Sequence, residues 1–299
     1  MPTTPAARLS AALRSLAGLS VGDAFGDQFF GDPHAADRAI ALRETPPGPW
    51  HFTDDTAMAL SIVDVLATHG AVHPDALAAL FGDRYQRDPN RKYGAGAHDV
   101  LTRIAAGEPW KAVAGGVFGG SGSMGNGGAM RCAPIGAYFA DDLELAAREA
   151  RVSAAITHAN LEGQAGAVAV AVAAAWVARG GRDARDLFRT VLDYTPDSLT
   201  RAYVMQASTL PLEYDVRTAV SALGNGTKMF SQDTVPFALW CAARHLGAFE
   251  EALWTTVSGL GDRDTTCAIV GGILACDPAV EIPAAWLAAR EDLEALPAA

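Results

Sequence analysis

The stretch His51-Phe52-Thr53-Asp54-Asp55-Thr56 places a hydroxyl and two adjacent carboxylates ahead of a run with helical period. Thr and Asp oxygens accept bonds from the orphan N–H groups of a first helical turn, so a capped helix start accounts for part of this composition. One cap needs one acceptor, however, and here two acids stand between two threonines. Clustered hard oxygens are the ligands that Mg²⁺ or Mn²⁺ requires. A second cluster lies far downstream at Gly261-Asp262-Arg263-Asp264-Thr265-Thr266, ahead of the apolar segment Cys267 to Cys276. Residues i and i+2 of a regular helix point apart, so joint ligation by Asp262 and Asp264 requires a loop or an irregular first turn.

Between the two clusters runs the glycine-rich stretch from Gly115 to Arg131. A flexible linker is one reading of it. Phe118, Met124, Asn126 and Met130 are not linker residues, and a glycine-rich loop ahead of a helix can turn successive N–H groups onto phosphate oxygens. It carries neither the P-loop pattern nor a strand-linked dinucleotide fingerprint.

The elements that must position these residues read as helices. Leu9 to Ala24 has leucines spaced for one face and ends in Gly22-Asp23-Ala24-Phe25-Gly26, where small residues let backbones approach closely. Gly31 to Trp50, with four prolines, reads as a long loop. In the helix that follows Thr53, Met58, Ile62, Val65, Leu66 and His69 fall on a buried face, with Ser61, Asp64 and Thr68 opposite. Further helices are expected over 74–85, 98–106, from Trp110, and over 143–157, 161–179, 183–192, 197–210, 215–223 and 248–259. Another is expected at Thr234–Trp240, opened by a hydroxyl cap and an early proline, and a closing one at 281–296. No convincing strand and no repeat appear.

Composition agrees with a well-filled core: of 299 residues 50% are hydrophobic and 19% charged. The net charge of −11, from 23 basic and 34 acidic residues, comes without a basic cluster and argues against a nucleic-acid footprint. The run Ala165 to Ala178 is shorter than the ~20 residues a bilayer core demands, so a buried helix is expected and no membrane. Four cysteines without a pairing pattern, and no signal-peptide pattern at the start, lead us to expect a cytoplasmic protein.

Taken together, the T-D-D-T and D-x-D-T clusters and the string Gly122-Ser123-Met124-Gly125-Asn126-Gly127-Gly128-Ala129-Met130-Arg131 resemble the ADP-ribosylglycohydrolase family. Gly22-Asp23-Ala24-Phe25-Gly26, Ser153 to His158, Leu223 to Gly226 and Thr234 to Trp240 match further family segments in the same order, from about Leu9 to Ala275. The resemblance implies a single all-α domain over 1–299, with a two-metal site in a central cleft. Thr53, Asp54, Asp55, Asp262, Asp264 and Thr265 would ligate two Mg²⁺ or Mn²⁺ ions, with Asp54, Asp55 and Asp264 catalytic. Phe118, Gly122, Ser123, Met124, Gly125, Asn126 and His158 would bind ADP-ribose, with Phe118 and Met124 flanking the adenine and the amides around Gly122–Asn126 contacting the diphosphate or ribose. The implied reaction is hydrolysis of the glycosidic bond between ADP-ribose and an acceptor, by a monomer.

Three positions depart from the family pattern. Hydrolases of the family usually carry glutamate eight residues after the first glycine of G-D-A-x-G, and here that position is Phe30. Arg263 stands where a threonine is usual, and Met124 where some relatives have an aromatic. Two further readings therefore accompany hydrolysis: an ADP-ribose-binding protein with impaired catalysis, favoured by Phe30, and a metal-dependent phosphoesterase. Asp23, Asp27, Asp32 and Glu44 are the acids near enough in sequence to replace the glutamate.

Overall fold

The computed structural model describes residues 4–294, and the regular structure among them is helical. In chain order the helices are α1 (Pro5–Asp27), α2 (Pro33–Leu42), α3 (Asp54–His69), α4 (Pro74–Arg87), α5 (Ala95–Ala105), α6 (Trp110–Gly116), α7 (Ala133–Tyr138), α8 (Leu143–Ala155), α9 (Leu161–Ala178), α10 (Ala184–Tyr194), α11 (Leu199–Thr209), α12 (Val216–Leu223), α13 (Ser231–Arg244), α14 (Phe249–Val257), α15 (Arg263–Leu274) and α16 (Ala284–Ala289). Extended pairing among the described residues is limited to isolated bridges, Trp50 with Arg290 and Gly125 with Phe230. Side-chain caps set many of the helix starts: Asp142, Asn160, Asp183, Ser198 and Asp215 each accept from a first-turn N–H.

One domain forms around α9, which is buried from Gly163 to Val177. This helix is long and apolar enough to cross a membrane by composition, but α7, α8, α10, α13 and α15 pack against it and it serves as the core. A second organising contact joins α1 to α15. Gly18, Gly22 and Gly26 lie four residues apart on one face of α1, and a β-carbon on any of them would overlap a backbone carbonyl of α15. Only glycine permits that approach. At the end of α1, Phe25 stacks on Trp286 at 4.4 Å and meets Trp254 edge-on at 4.9 Å, which anchors the segment leading to Phe30.

The structure corrects several expectations. Gly31 to Trp50 is not all loop: Asp32 caps α2 through the His34 N–H, and Pro33 sits at the first helical position, where its missing N–H costs nothing. The remaining prolines follow the helix. α3 is buried over most of its length, and its polar side is only partly solvated: Thr68 is exposed and Asp64 half-buried. Ser61 is fully buried, and Arg84 donates both to its hydroxyl at 3.1 Å and to Asp64 at 2.7 Å. His69 lies at the exposed end of α3 and stacks on His73. α13 starts at Ser231, so Thr234 donates to the Phe230 carbonyl instead of capping, and Pro236 falls inside the helix.

The closing helix shrinks to α16, because the chain then pairs with Trp50: Trp50 N donates to Ala289 O and Glu291 N to Trp50 O. Residues 295 and 296 of that expected helix lie outside the described residues.

The α1–α15 contact is directly testable. Gly22→Ala should cost about 3 kcal/mol or more of unfolding free energy, since backbone cannot yield as a flexible side chain can. Gly115→Ala, in α6 with nothing within 4 Å of the added carbon, should be neutral or gain up to about 1 kcal/mol. Urea denaturation of the two variants checks this, and equal stabilities would contradict it.

Candidate active site

The two acid clusters meet at the helix starts that α1 brings together. Thr53 is the N-cap of α3, with extended backbone, and Asp54 and Asp55 form the first turn. Across from them, a left-handed turn at Leu260 and Gly261 delivers Asp262 as the N-cap residue of α15, outside the helix, with Asp264 two residues on in its first turn. This is the irregular turn that convergence of Asp262 and Asp264 demands. Thr265 Oγ1 stands 3.5 Å from Asp55 Oδ2, so segments 210 residues apart touch. Carboxylates at both sites sit at the positive ends of two helices.

Beneath them lies Asp23, fully buried on α1. It accepts from Thr53 N at 3.0 Å, Thr53 Oγ1 at 2.9 Å, Thr56 N at 3.1 Å and Thr56 Oγ1 at 2.5 Å. Both its oxygens are thereby committed to holding the first turn of α3. The Thr53 hydroxyl also lies 3.0 Å from Asp55 Oδ2, and its single proton cannot serve both carboxylates. Asn126 orders the other side, its amide donating to Asp262 Oδ2 at 2.6 Å and to Thr234 Oγ1 at 3.0 Å.

The electrostatics of this arrangement are costly without a cation. Burial foremost, and neighbouring carboxylates next, push Asp54, Asp55 and Asp264 well above the usual carboxylate range. Burial raises Asp262 as well and lifts Asp23 to about 6. No three Asp, Glu, His or Cys side chains among the described residues are already drawn together as a ligand cage. The chemistry of the donors nevertheless fits divalent ions: Asp55 Oδ1 and Asp264 Oδ1 are buried with no hydrogen-bond partner, and hard oxygens surround them.

A cleft of about 650 Å³ opens from this cluster. Asp54, Asp262, Asp264, Thr265, Phe118, Gly122 to Asn126 and His158 line it, while Thr53 and Asp55 sit buried behind. Phe118 is 66% exposed on left-handed backbone (φ 52°), presenting its ring to the cleft mouth. Gly122 has φ 71°, and a β-carbon there would come within 2.6 Å of Asn160 N. Within the loop, Gly122 N donates to Val117 O, Gly125 N to Ser123 Oγ and Asn126 N to Met229 O. The Ser123 and Met124 amides are therefore the ones left without an acceptor among the described residues, fewer than the loop's composition suggests.

Segment 228–230 is a site element that the sequence reading missed. It lines the cleft and is stitched to the glycine loop by Asn126 N to Met229 O and Ser231 N to Met124 O. No local signal marks it, since its partner lies over a hundred residues away. Arg131 was also missed as a site residue, although a lone cation in the run Ala-Met-Arg-Cys-Ala-Pro is a legible oddity. Asp23, in the sequence one of four acids placed to replace the glutamate, instead holds the first turn of α3.

An all-α domain that joins these acid clusters to a glycine-loop cleft has the architecture of a glycohydrolase. The ADP-ribosylglycohydrolase family model matches residues 4–299, and the chain belongs to that family. Over 93% of its length the chain is 29% identical to ADP-ribosylhydrolase ARH3 of Homo sapiens, spanning 88% of that protein. An uncharacterized protein of Archaeoglobus fulgidus is 31% identical over 93% of this chain and 91% of its own. A solved structure of an ADP-ribosylglycohydrolase-related protein complex superposes with a TM-score of 0.65 at 24% identity, over 95% of this chain and 93% of that one, a likeness of fold.

Burial, and next the Arg131 charge, draw the His158 imidazole down from 6.5 to about 3. Between those values the unfolded chain binds a proton that the folded protein refuses, so stability falls as pH drops through the window. The slope from one such site is about 1.4 kcal/mol per pH unit. Between pH 7.5 and 5, the wild type should therefore lose about 2 kcal/mol more than His158→Gln. Urea denaturation at the two pH values measures this, and equal losses in both proteins would contradict it.

Proposed function

We propose that the protein is a divalent-cation-dependent hydrolase that cleaves the glycosidic bond between ADP-ribose and an acceptor. The observation that carries this reading is the meeting of two remote acid clusters, with unpartnered oxygens on Asp55 and Asp264, in a cleft walled by the glycine-rich loop. Family membership and the likeness to ADP-ribosylhydrolase ARH3 supply the substrate class. Thr53, Asp54, Asp55, Asp262, Asp264 and Thr265 would hold two Mg²⁺ or Mn²⁺ ions, which when bound polarise substrate oxygens and lower the pKa of a coordinated water.

The chain's own residues do the positioning. Asp23 keeps Thr53 and the first turn of α3 aimed at the cleft, and Asn126 holds Asp262. The Ser123 and Met124 amides offer donors to an anion, and Phe118 and Met124 offer exposed apolar surface to a base. In this scheme water attacks the anomeric carbon as the bond to the acceptor breaks through an oxocarbenium-like state.

Phe30 favours a second reading, an ADP-ribose-binding protein with impaired hydrolysis, because a phenyl ring cannot accept a proton from water. Its ring is 43% exposed, with the Arg263 guanidinium 5.0 Å and the Lys92 ammonium 5.8 Å from its centre. Arg263 also donates to the Phe29 carbonyl, so two departures from the family pattern are neighbours in space. Among the nearby acids, Asp23 is fully committed, Asp32 caps α2 and Glu44 is exposed. Asp27, paired with the cleft-lining Lys92, is left as the acid to take the proton in the hydrolase reading.

The test is turnover of a panel of ADP-ribosylated substrates with Mg²⁺ or Mn²⁺ and with chelator. Release of ADP-ribose should require the metal. Asp264→Asn should weaken metal binding by at least about tenfold, since even residues that only support a ligand cost that much. Asp27→Ala should abolish turnover while leaving ADP-ribose binding in place. Release of ADP-ribose by Phe30→Glu alone, and never by the wild type, would establish the second reading.

A further inference from the structure

Arg131 lies at the base of the cleft, fully buried, at the end of the glycine-rich stretch. Its guanidinium lies over the Phe81 ring at 4.5 Å, and Nη1 lies 3.3 Å from Met58 Sδ. Nη2 donates to Ser153 O at 3.1 Å and to Thr157 Oγ1 at 2.9 Å. Thr157 Oγ1 in turn stands 2.7 Å from His158 Nδ1.

The proton on each of these atoms follows from the partners. A guanidinium has donors only and stays charged, so the Thr157 oxygen accepts from it. The hydroxyl then has one proton to place. Thr157 is buried, and His158 Nδ1 is the acceptor within reach of that proton among the described residues. With a proton on Nδ1 instead, Thr157 would receive two donors and leave its own hydroxyl hydrogen orphaned in the interior, an arrangement buried polar groups avoid.

We propose that Arg131 is a positioning residue that acts through Thr157 to fix His158 as the Nε2–H tautomer, so that the cleft meets a hydrogen-bond donor at the outer ring nitrogen. Nε2 lies against the glycine loop, where a carbon added to Gly125 or Gly127 would stand 3.3 Å from it, and no group among the described residues accepts from it. Burial keeps the ring from taking a second proton near neutral pH. His158 Nε2–H therefore joins the free Ser123 and Met124 amides as a third neutral donor. The set selects an acceptor oxygen, such as one of a phosphate or a ribose hydroxyl, and disfavours a group that can only donate. Arg131 adds positive charge from behind without touching the ligand, in a chain of net charge −11.

The tautomer rests on the free protein, whereas its use by ADP-ribose rests on the function proposed above, and the test separates the two. Long-range ¹H–¹⁵N correlation spectra of the ligand-free full chain should show His158 protonated at Nε2 and bare at Nδ1 from pH 6 to 8. Thr157→Val keeps the shape and the buried Arg131 but removes the relay. In that variant both tautomers should appear, and ADP-ribose affinity, read by calorimetry, should fall about three- to tenfold. Thr157→Ser should restore both signals. Arg131→Met should mix the tautomers as well, and where it does not fold, Thr157→Val decides.

A wild-type ring protonated at Nδ1, or an unchanged tautomer in Thr157→Val, would overturn the proposal. The expected tautomers together with no binding of ADP-ribose would support the relay and remove the ADP-ribose reading.

Discussion

Everything at the site depends on how closely α1 lies against α15. Gly18, Gly22 and Gly26 present bare backbone to the carbonyls of Gly271, Cys267 and Arg263. Dispersion and Cα–H···O contacts replace the side chains that would otherwise hold the helices apart. The approach sets two positions at once. Asp23, between two of those glycines in sequence, comes to lie under the first turn of α3, and the start of α15 comes to lie beside Asp55. A wider gap would leave two acid clusters on separate helices, each no more than a cap.

The second constraint is electrostatic. Asp54, Asp55, Asp262 and Asp264 share one partly desolvated space with Asp23; burial raises all five above the ordinary carboxylate range, and repulsion from neighbouring carboxylates adds to it at Asp54, Asp55 and Asp264. Within the protein, the counterweights are the ends of two helices and the buried Arg131. Buried carboxylates persist where they are paired, protonated or bound to metal. The lone oxygens of Asp55 and Asp264 mark where a cation would do most.

Much of this was legible because the ligand types form visible strings. Two acids between threonines, and a D-x-D-T ahead of an apolar run, announce hard-oxygen sites, and the i, i+2 spacing already requires the off-helix Asp262. What stayed hidden depends on distant partners. Asp23 reads as one acid among several until Thr53 and Thr56 fold onto it. The glycine loop looks like a row of free amides, yet Met229, remote in sequence, takes Asn126 N. α2 hides in the sequence because Pro33 resembles a loop residue, although the first helical position is where proline fits best. Phe30 stood out as a missing carboxylate, but that its neighbours would be Arg263 and Lys92 is a fact of the fold.

On the proposed function, α1 and α15 join two acid clusters into a single ion site. Anomalous diffraction from crystals grown with Mn²⁺ tests it most directly. Manganese peaks should lie within bonding distance, about 2.0–2.3 Å, of oxygens from both the 53–55 and the 262–265 segments. Manganese bound to one segment alone, or to neither, would contradict it.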